Sequence, residues 1–298
     1  MIVVNRIGGC LGAEVYGVDL SVPLASSSFE QVRRAFFEHE VVVFRGQTLA
    51  PEQQLAFTRR FGELEHHVRR ESCLAGFPEI LVVSNVLDAA GRALGVQDAG
   101  RFWHSDLSYK REPSLLSALY ALEVPVREGR ALGDTSFASA TAAYDALPEE
   151  MKQRLQGLRN VHSYRYYREK NARAQAEEAA ANGRRVQEHT PDAQQFASVP
   201  DVEMPVVRTH PVTGRKALFV NEAHTSHLVG LEPDESARLL GELYRHLTRP
   251  EFVYRHRWQP GDLLMWDNCA VQHKANFDYQ LPLRRRMYRT TVHGSAPF

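Results

Sequence analysis

Two residues of the segment WHSDLSY, His104 and Asp106, are the first pair whose types and spacing could do chemistry. If the segment is an extended strand, side chains two residues apart project from the same face, and the imidazole and the carboxylate would point together. The pair alone is a weak signal, because a surface or core polar pair has the same pattern. A metal site would need a third ligand from another part of the chain.

His273, in the segment MWDNCAVQH, follows a strand-like run and is a candidate third ligand. The chain has 13 histidines, so position alone proves little. Two histidines and one carboxylate on a β scaffold form the facial triad of non-heme Fe(II) oxygenases, which leaves positions open for a cosubstrate and dioxygen. The same ligands around zinc would suit a hydrolase that activates water.

A basic run, RRRMYRTTVHG at residues 284–294, could bind the anionic partners of such a metal. On a strand, Arg285 and Arg289 share one face and lie roughly 13 Å apart, so they could bind two different anions in one pocket. Arginine suits this role because its guanidinium forms bidentate pairs with carboxylates. The alternatives are a solvated basic strand edge and a non-catalytic β-barrel that binds small acids.

The elements that must position these residues are mostly short strands. Helices are predicted at 29–40, 51–63 and 233–247, and, interrupted at Pro148, over most of 135–158. Strands are predicted at 41–46, 79–86, 114–122, 204–221 (two strands and a turn), 251–258, 263–268 and 284–294. The strands do not alternate regularly with helices, which argues against a doubly wound parallel sheet. A barrel or a two-sheet sandwich with flanking helices fits better.

Composition excludes several other classes. The 36 basic residues balance the 36 acidic ones, so the chain lacks the charge expected of a nucleic-acid binder. It has neither an apolar run long enough for a membrane span nor a secretory signal. Three cysteines without a C-x-x-C motif indicate a reducing, cytoplasmic location. Residues 165–203 are charged and rich in alanine, which predicts a lid or a mobile insertion within a single domain, 1–298.

Taken together, these segments resemble the family of Fe(II)/2-oxoglutarate-dependent dioxygenases that contains taurine dioxygenase and 2,4-dichlorophenoxyacetate dioxygenase. The similarity extends over roughly residues 10–295 and includes LGAEVYGVDL (11–20), VVVFRGQTLAPEQQLAFTRRFGELE (41–65), WHSDLSY and GDTSFASATAAYDALP (133–148). The segments at 207–231 and 251–273 look closest to the dichlorophenoxyacetate branch. The resemblance implies a mainly β fold with flanking helices and a double-stranded β-helix core, a jelly roll of the cupin type.

The resemblance also implies a role for individual residues, carried over from the matching motifs. The iron ligands would be His104, Asp106 and His273, and the residues that hold the distal carboxylate of 2-oxoglutarate would be Thr135 and Arg285. The residues around the substrate would be Arg289, which pairs with its acidic group, the pocket histidines His67, His210 and His224, and Leu107, which offers its backbone.

The implied cofactors are Fe(II), 2-oxoglutarate and O2, and the implied products include succinate and CO2. The substrate would be a small organic anion, and the family suggests a homo-oligomer. Asp106 favours hydroxylation, because related halogenating enzymes lack this carboxylate. The 207–231 segment favours a carboxylate substrate such as an aryloxyalkanoate, and the alternatives within the family are a sulfonate dioxygenase and a tailoring oxygenase for an amino-acid-derived metabolite.

Overall fold

A computed structural model describes residues 1–67, 70–97, 99–181, 196 and 199–298. The strands in these ranges are β1 Val3–Arg6, β2 Ala13–Tyr16, β3 Val41–Phe44, β4 Cys73–Leu74, β5 Phe77–Ser84, β6 Leu116–Glu123, β7 Val126–Arg127, β8 Arg130–Ala131, β9 Thr135–Ser139, β10 Arg159–His162, β11 Val202–Pro205, β12 Val207–Thr209, β13 Lys216–Leu218, β14 Thr225–Leu228, β15 Val253–His256, β16 Leu263–Asp267, β17 Val271–Ala275 and β18 Arg286–Val292. The helices are α1 Ser26–His39, α2 Pro51–Thr58, α3 Ala140–Asp145, α4 Glu149–Leu155, α5 Tyr164–Ala181 and α6 Pro233–Leu247.

The largest sheet has the strand order β1-β2-β3-β16-β6-β18-β5-β4. Its pairs are antiparallel except that of β2 with β3. The central strands are rich in apolar and β-branched residues because both faces of the sheet are covered. On one face, Phe44 and Tyr288 join a core cluster with residues of α1 and α2, such as Phe36 and Leu55.

The second face of this sheet packs against a three-stranded sheet with the order β15-β9-β17. Alternate residues of the same strands point to this side, and Leu264 and Met287 share a buried cluster there with Phe137 of β9 and the two tryptophans Trp258 and Trp266. The result is a mostly antiparallel two-sheet sandwich with helices outside it, as predicted.

Residues 135–139 depart from the prediction, because the segment expected to be helical begins with the strand β9. Thr135–Ser139 pairs with β15 on one side and β17 on the other, and these long-range hydrogen bonds override the local helical pattern. The helix starts only at Ala140, where the Ser139 hydroxyl accepts a hydrogen bond from the backbone N–H of Ala142. Thr135 therefore lies on a rigid central strand.

The segment 165–203 is only partly described, since residues 182–195, 197 and 198 lie outside the described ranges. Its first part is the helix α5, and the residue that precedes the segment, Tyr164, is buried together with Leu107 and Tyr109. In the described ranges, no helix is long and apolar enough to cross a membrane.

Candidate active site

The three predicted metal ligands come from a loop and from β17, the outer strand of the three-stranded sheet against which this loop lies. His104 and His273 form an isolated antiparallel bridge in which each backbone N–H donates to the carbonyl oxygen of the other, at 3.1 and 2.8 Å. Asp106 follows in a turn rather than in the predicted strand, and Leu107 has a φ of 56°. One ligand atom from each of the three side chains lies within 4.8 Å of the others.

The hydrogen bond that His104 makes leaves one of its ring nitrogens free to bind a metal. Nδ1 of His104 donates to the carbonyl oxygen of Phe102 at 2.9 Å, which fixes the tautomer and leaves the lone pair of Nε2 facing Asp106. The distance from this Nε2 to Oδ1 of Asp106 is 3.6 Å. The gap between them is therefore lined by acceptor atoms.

The charges of the site suit a divalent cation. Burial alone would raise the pKa of Asp106, but the guanidinium of Arg289 and the two neighbouring imidazoles outweigh it and hold this pKa well below its usual range. Burial and the neighbouring His104 lower the pKa of His273 far below its usual value. A carboxylate and a neutral imidazole are the protonation states that metal binding requires, so the residues present fit an Fe(II) ion.

A second group of potential ligands, His210, Asp267 and Cys269, is a structural cluster. Nε2 of His210 donates to Asp267 at 2.7 Å, while Nδ1 accepts the backbone N–H groups of Val212 and Thr213. Burial raises the pKa of the Cys269 thiol to about 12, so it stays protonated. Both ring nitrogens of His210 are used, and His210 is not among the residues that line the pocket beside the triad, contrary to the prediction.

Arg285 and Thr135, the two residues predicted to hold the cosubstrate, are both buried. Arg285 is 4 % exposed, and its Nε has no hydrogen-bond partner in the described part of the chain. This nitrogen lies 3.3 Å from the position that a Cβ atom on Gly133 would occupy. Gly133 is two residues before Thr135. The indole of Trp258 donates to Oγ1 of Thr135 at 3.0 Å, so the hydroxyl proton remains available. A carboxylate would satisfy both groups.

Arg289 lies on β18, two residues after the core residue Met287 and on the same face as it, whereas Arg285 lies just before the strand. Its guanidinium donates to Oδ1 of Asp106 at 2.9 Å, and a second nitrogen lies 3.3 Å from Nε2 of His67. Nε of Arg289 has no partner among the described residues. Arg289 and His67 thus form a polar end of the pocket that adjoins the triad.

The hydrogen bonds of His224 determine which nitrogen faces the pocket. Nδ2 of Asn221 donates to Oγ of Ser108 at 3.0 Å, and the Ser108 proton then points to Nδ1 of His224 at 3.1 Å. His224 therefore carries its proton on Nε2. Burial holds its pKa far below the usual value, so the ring is neutral. It lines the pocket as a neutral donor.

The part of the pocket next to His224 is aromatic. The rings of Tyr109 and Tyr167 lie 5.0 and 5.1 Å from the His224 ring, and Tyr109 packs 5.0 Å from Tyr164. Leu107, one of the predicted residues, lines the same pocket. Aromatic side chains bury a large apolar area and can stack on a planar group.

The residues of the site that were not assigned from the sequence include Ser117, Asn268, Trp258, Tyr164 and Tyr167. The two tyrosines lie three residues apart at the start of α5, a spacing that places side chains on one face of a helix. That spacing could have indicated a wall of the pocket. The other three act through hydrogen bonds to distant residues, which no local pattern reveals.

Two imidazoles and a carboxylate on a jelly-roll sandwich, with one buried and one partly buried arginine on the same side of the chain, are typical of the non-heme iron oxygenases that use a 2-oxo acid. The chain matches the sequence model of the taurine catabolism dioxygenase TauD, TfdA family over residues 4–291, and it belongs to that family. It is an α-ketoglutarate-dependent dioxygenase that uses Fe(II), 2-oxoglutarate and O2. The zinc-hydrolase and non-catalytic alternatives are therefore wrong.

Individual relatives are similar to this chain over nearly its full length. The 2,4-dichlorophenoxyacetate dioxygenase of Cupriavidus pinatubonensis is 38% identical over 305 residues, which cover 99% of each chain. Pentalenolactone F synthase of Streptomyces avermitilis is 33% identical, with 97% of this chain and 93% of that protein covered.

Two solved structures share the fold. One is a putative α-ketoglutarate-dependent taurine dioxygenase from Burkholderia xenovorans, with a TM-score of 0.80, 32% identity, and 100% of this chain and 94% of that chain covered. The other is AAD-2 in complex with Mn(II) and N-oxalylglycine, with a TM-score of 0.79, 31% identity, and 100% and 99% covered. The predicted double-stranded β-helix core is confirmed.

Proposed function

We propose that this enzyme hydroxylates a C–H bond of a small organic carboxylate of the aryloxyalkanoate type and releases succinate and CO2. The observation that carries this proposal is the layout of the pocket. A cationic and polar end, Arg289 with His67, adjoins the triad, and a tyrosine wall lies beside His224. A substrate with a carboxylate at one end and an aromatic ring at the other matches both ends.

The relatives support the same substrate class. Besides the protein from Cupriavidus pinatubonensis, they include a 2,4-dichlorophenoxyacetate dioxygenase of a Burkholderia species, 36% identical, and an (S)-phenoxypropionate dioxygenase of Sphingobium herbicidovorans, 34% identical. Each of these names describes an acid with an aryloxy group.

His104, Asp106 and His273 would hold the iron, which with 2-oxoglutarate and dioxygen supplies the oxidising chemistry. Arg285 would bind the far carboxylate of 2-oxoglutarate through the unpaired Nε, and Thr135 would donate its hydroxyl proton to the same group. This fixes the cosubstrate at one end, so that its other end is presented to the ion in one orientation.

On the substrate side, Arg289 would pair with the carboxylate, since a guanidinium has five donors and its Nε is unused among the described residues. His224 would donate its Nε2 proton to a neutral acceptor, such as the ether oxygen of an aryloxy acid. Tyr109 and Tyr167 would stack on the ring and exclude water. Arg289 would thus fix the carboxylate and His224 the ether oxygen. Together they would fix the position of the substrate carbon that joins these two groups.

The test is succinate release with phenoxyacetate, 3-phenylpropanoate, alkyl sulfonates and N-acyl amino acids, each with Fe(II), 2-oxoglutarate and O2. We expect phenoxyacetate to give the highest kcat/KM, and to exceed its carbon isostere 3-phenylpropanoate by at least about 10-fold because only the ether accepts the His224 proton. In His224→Phe this ratio should fall to about 1.

Other outcomes would identify another substrate. Preferred turnover of alkyl sulfonates would refute the carboxylate proposal, and relatives with sulfonate and sulfate ester activity make this the main competitor. Preferred turnover of the amino-acid derivatives would favour a tailoring role.

We also propose that the chain is a single domain in which the start of α5 forms part of a lid over the substrate. Removal of the aromatic ring in Tyr167→Ala should then raise KM for phenoxyacetate more than it lowers kcat.

A further inference from the structure

Asn268, which follows β16 directly, has a buried amide whose hydrogen-bonding positions are all used. Its Oδ1 accepts the backbone N–H of Asp106 at 3.2 Å and the indole N–H of Trp266 at 3.0 Å. Both partners can only donate, so the atom that they face must be the oxygen. Its Nδ2 donates to Ser114 at 3.0 Å and to Ser117 at 3.1 Å. The orientation of the amide is thus determined by four partners.

This orientation determines where the Ser117 proton points. Oγ of Ser117 accepts from Asn268, so its one proton must go to a different partner. Oδ2 of Asp106 lies 2.7 Å away and, as a carboxylate oxygen, can only accept, while the hydroxyl of Thr291 is farther, at 3.4 Å. The Ser117 hydroxyl therefore donates its hydrogen bond to Oδ2 of Asp106.

We propose that Asn268 and Ser117 are positioning residues that select which oxygen of Asp106 binds the metal. The Ser117 hydroxyl, oriented by Asn268, occupies Oδ2. Oδ1, the oxygen nearest to Nε2 of His104, accepts one hydrogen bond from Arg289 and is the oxygen that faces the ligand gap. The inference rests on the assignment of the triad as the iron site. Without the Ser117 hydroxyl, the carboxylate would be held by Arg289 alone and could turn or offer both oxygens, and the geometry of the site would no longer be fixed in advance.

Ser114 provides a matched control on the same amide. It is equally buried and also accepts from Nδ2 of Asn268, but its hydroxyl donates to the backbone carbonyl of Asp106, at 2.8 Å, and not to the carboxylate. Ser236, buried on α6 and bonded to the backbone N–H of Leu228, provides a remote control. Comparing the three serine-to-alanine variants separates the carboxylate contact from general loss of a buried hydroxyl.

The experiment measures the Kd for Mn(II) alone by the loss of the EPR signal of the free ion, with no substrate or turnover. Partners of metal ligands typically change metal affinity by 10- to 100-fold, so we expect Ser117→Ala to raise Kd at least about 10-fold. Ser114→Ala and Ser236→Ala should change it less than about 3-fold. The visible absorption of bound Co(II) should also change in Ser117→Ala alone, because it reports ligand geometry. Should Ser117→Ala not fold, Ser117→Cys, a poor donor of similar size, replaces it with the same expected loss.

Two results would overturn the inference while leaving the proposed function in place: an unchanged Kd in Ser117→Ala, or an equal rise in Ser114→Ala. Failure of the wild-type protein to bind Mn(II) would refute the metal assignment and the inference with it. A 10-fold loss confined to Ser117→Ala, with the Co(II) spectrum altered, would support it.

Discussion

Replacement of Arg285 by methionine should stabilise the ligand-free protein and remove most of its affinity for 2-oxoglutarate. The Arg285 side chain is 4 % exposed, and its Nε has no partner in the described part of the chain. A buried donor left unsatisfied costs about 1–3 kcal/mol, and more when charged. Methionine is similarly long and has no polar group to desolvate. The free energy of unfolding of Arg285→Met should therefore rise by at least about 1 kcal/mol, or about 2 °C in Tm for a chain of this size.

The same substitution should act in the opposite direction on binding. Truncating one partner of a buried charge pair costs about 2–5 kcal/mol, which raises Kd roughly 30- to 4,000-fold. Calorimetric titration of 2-oxoglutarate into the Mn(II)-loaded protein measures this directly. At a 2-oxoglutarate concentration 100 times the wild-type Kd, the wild type should gain about 2.7 kcal/mol of stability, and Arg285→Met at most about 0.9 kcal/mol.

The neighbouring Arg284 gives a control that changes the same residue type. It is half exposed and pairs with Glu123 at 2.6 Å, a surface contact that solvent screens and that adds little to stability. Arg284→Met should leave the affinity for 2-oxoglutarate unchanged and should not stabilise the protein. A less stable Arg285→Met that keeps its affinity for 2-oxoglutarate would refute the reasoning, because it would mean that Arg285 is satisfied within the protein.

Three further outcomes are expected. Gly133→Ala should cost at least about 1 kcal/mol in urea unfolding and weaken 2-oxoglutarate binding, because φ is +73° and the new methyl would lie 2.8 Å from the Tyr279 ring, against Arg285. Trp258→Phe should raise the Kd for 2-oxoglutarate about 5-fold by calorimetry, since Thr135 loses the donor that orients its hydroxyl. Burial lowers the pKa of His162 from 6.5 to about 4, so its contribution to stability is complete above pH 6.5 and is lost as the pH falls to 4, by about 3 kcal/mol. Urea unfolding across this range gives the number of protons taken up on unfolding from the slope of the unfolding free energy against pH, and His162→Gln should reduce this number by up to one. An unchanged slope would contradict the buried neutral ring.

The elements with a regular hydrophobic pattern could be predicted from the sequence. The helix α6 and the strands β3, β16 and β18 follow their predicted segments closely, because an apolar face of period 3.6 or 2 needs no distant partner to be recognised. The strand β9 could not be predicted, since its partners β15 and β17 lie more than a hundred residues away. Asp106 departs from the strand prediction for a similar reason, because a bridge to His273 and the turn at Leu107 set its direction.

In the candidate site, too, residues that depend on distant partners could not be predicted from the sequence. Motifs identified the side chains that would touch the metal and the cosubstrate, since those residue types carry the chemistry themselves. They did not identify Ser117 or Asn268, whose effect comes from hydrogen bonds to Asp106 across 11 and 162 residues of sequence. They also assigned His210 to the pocket, although its bonds to Asp267 and to the following turn use both ring nitrogens. The number of free donor or acceptor atoms is a property of the folded chain.

Iron binding and substrate choice are carried by different parts of the chain. The triad and the two arginines lie on, or are hydrogen-bonded to, the strands of the sandwich, whose register fixes them relative to each other. The tyrosine wall depends instead on the turn after Asp106 and on the start of α5, an element outside both sheets. Changes in α5 can therefore alter which substrate ring fits without disturbing the metal. This division explains how a triad shared across a family can coexist with relatives named for aryloxy acids, sulfate esters and a pentalenolactone.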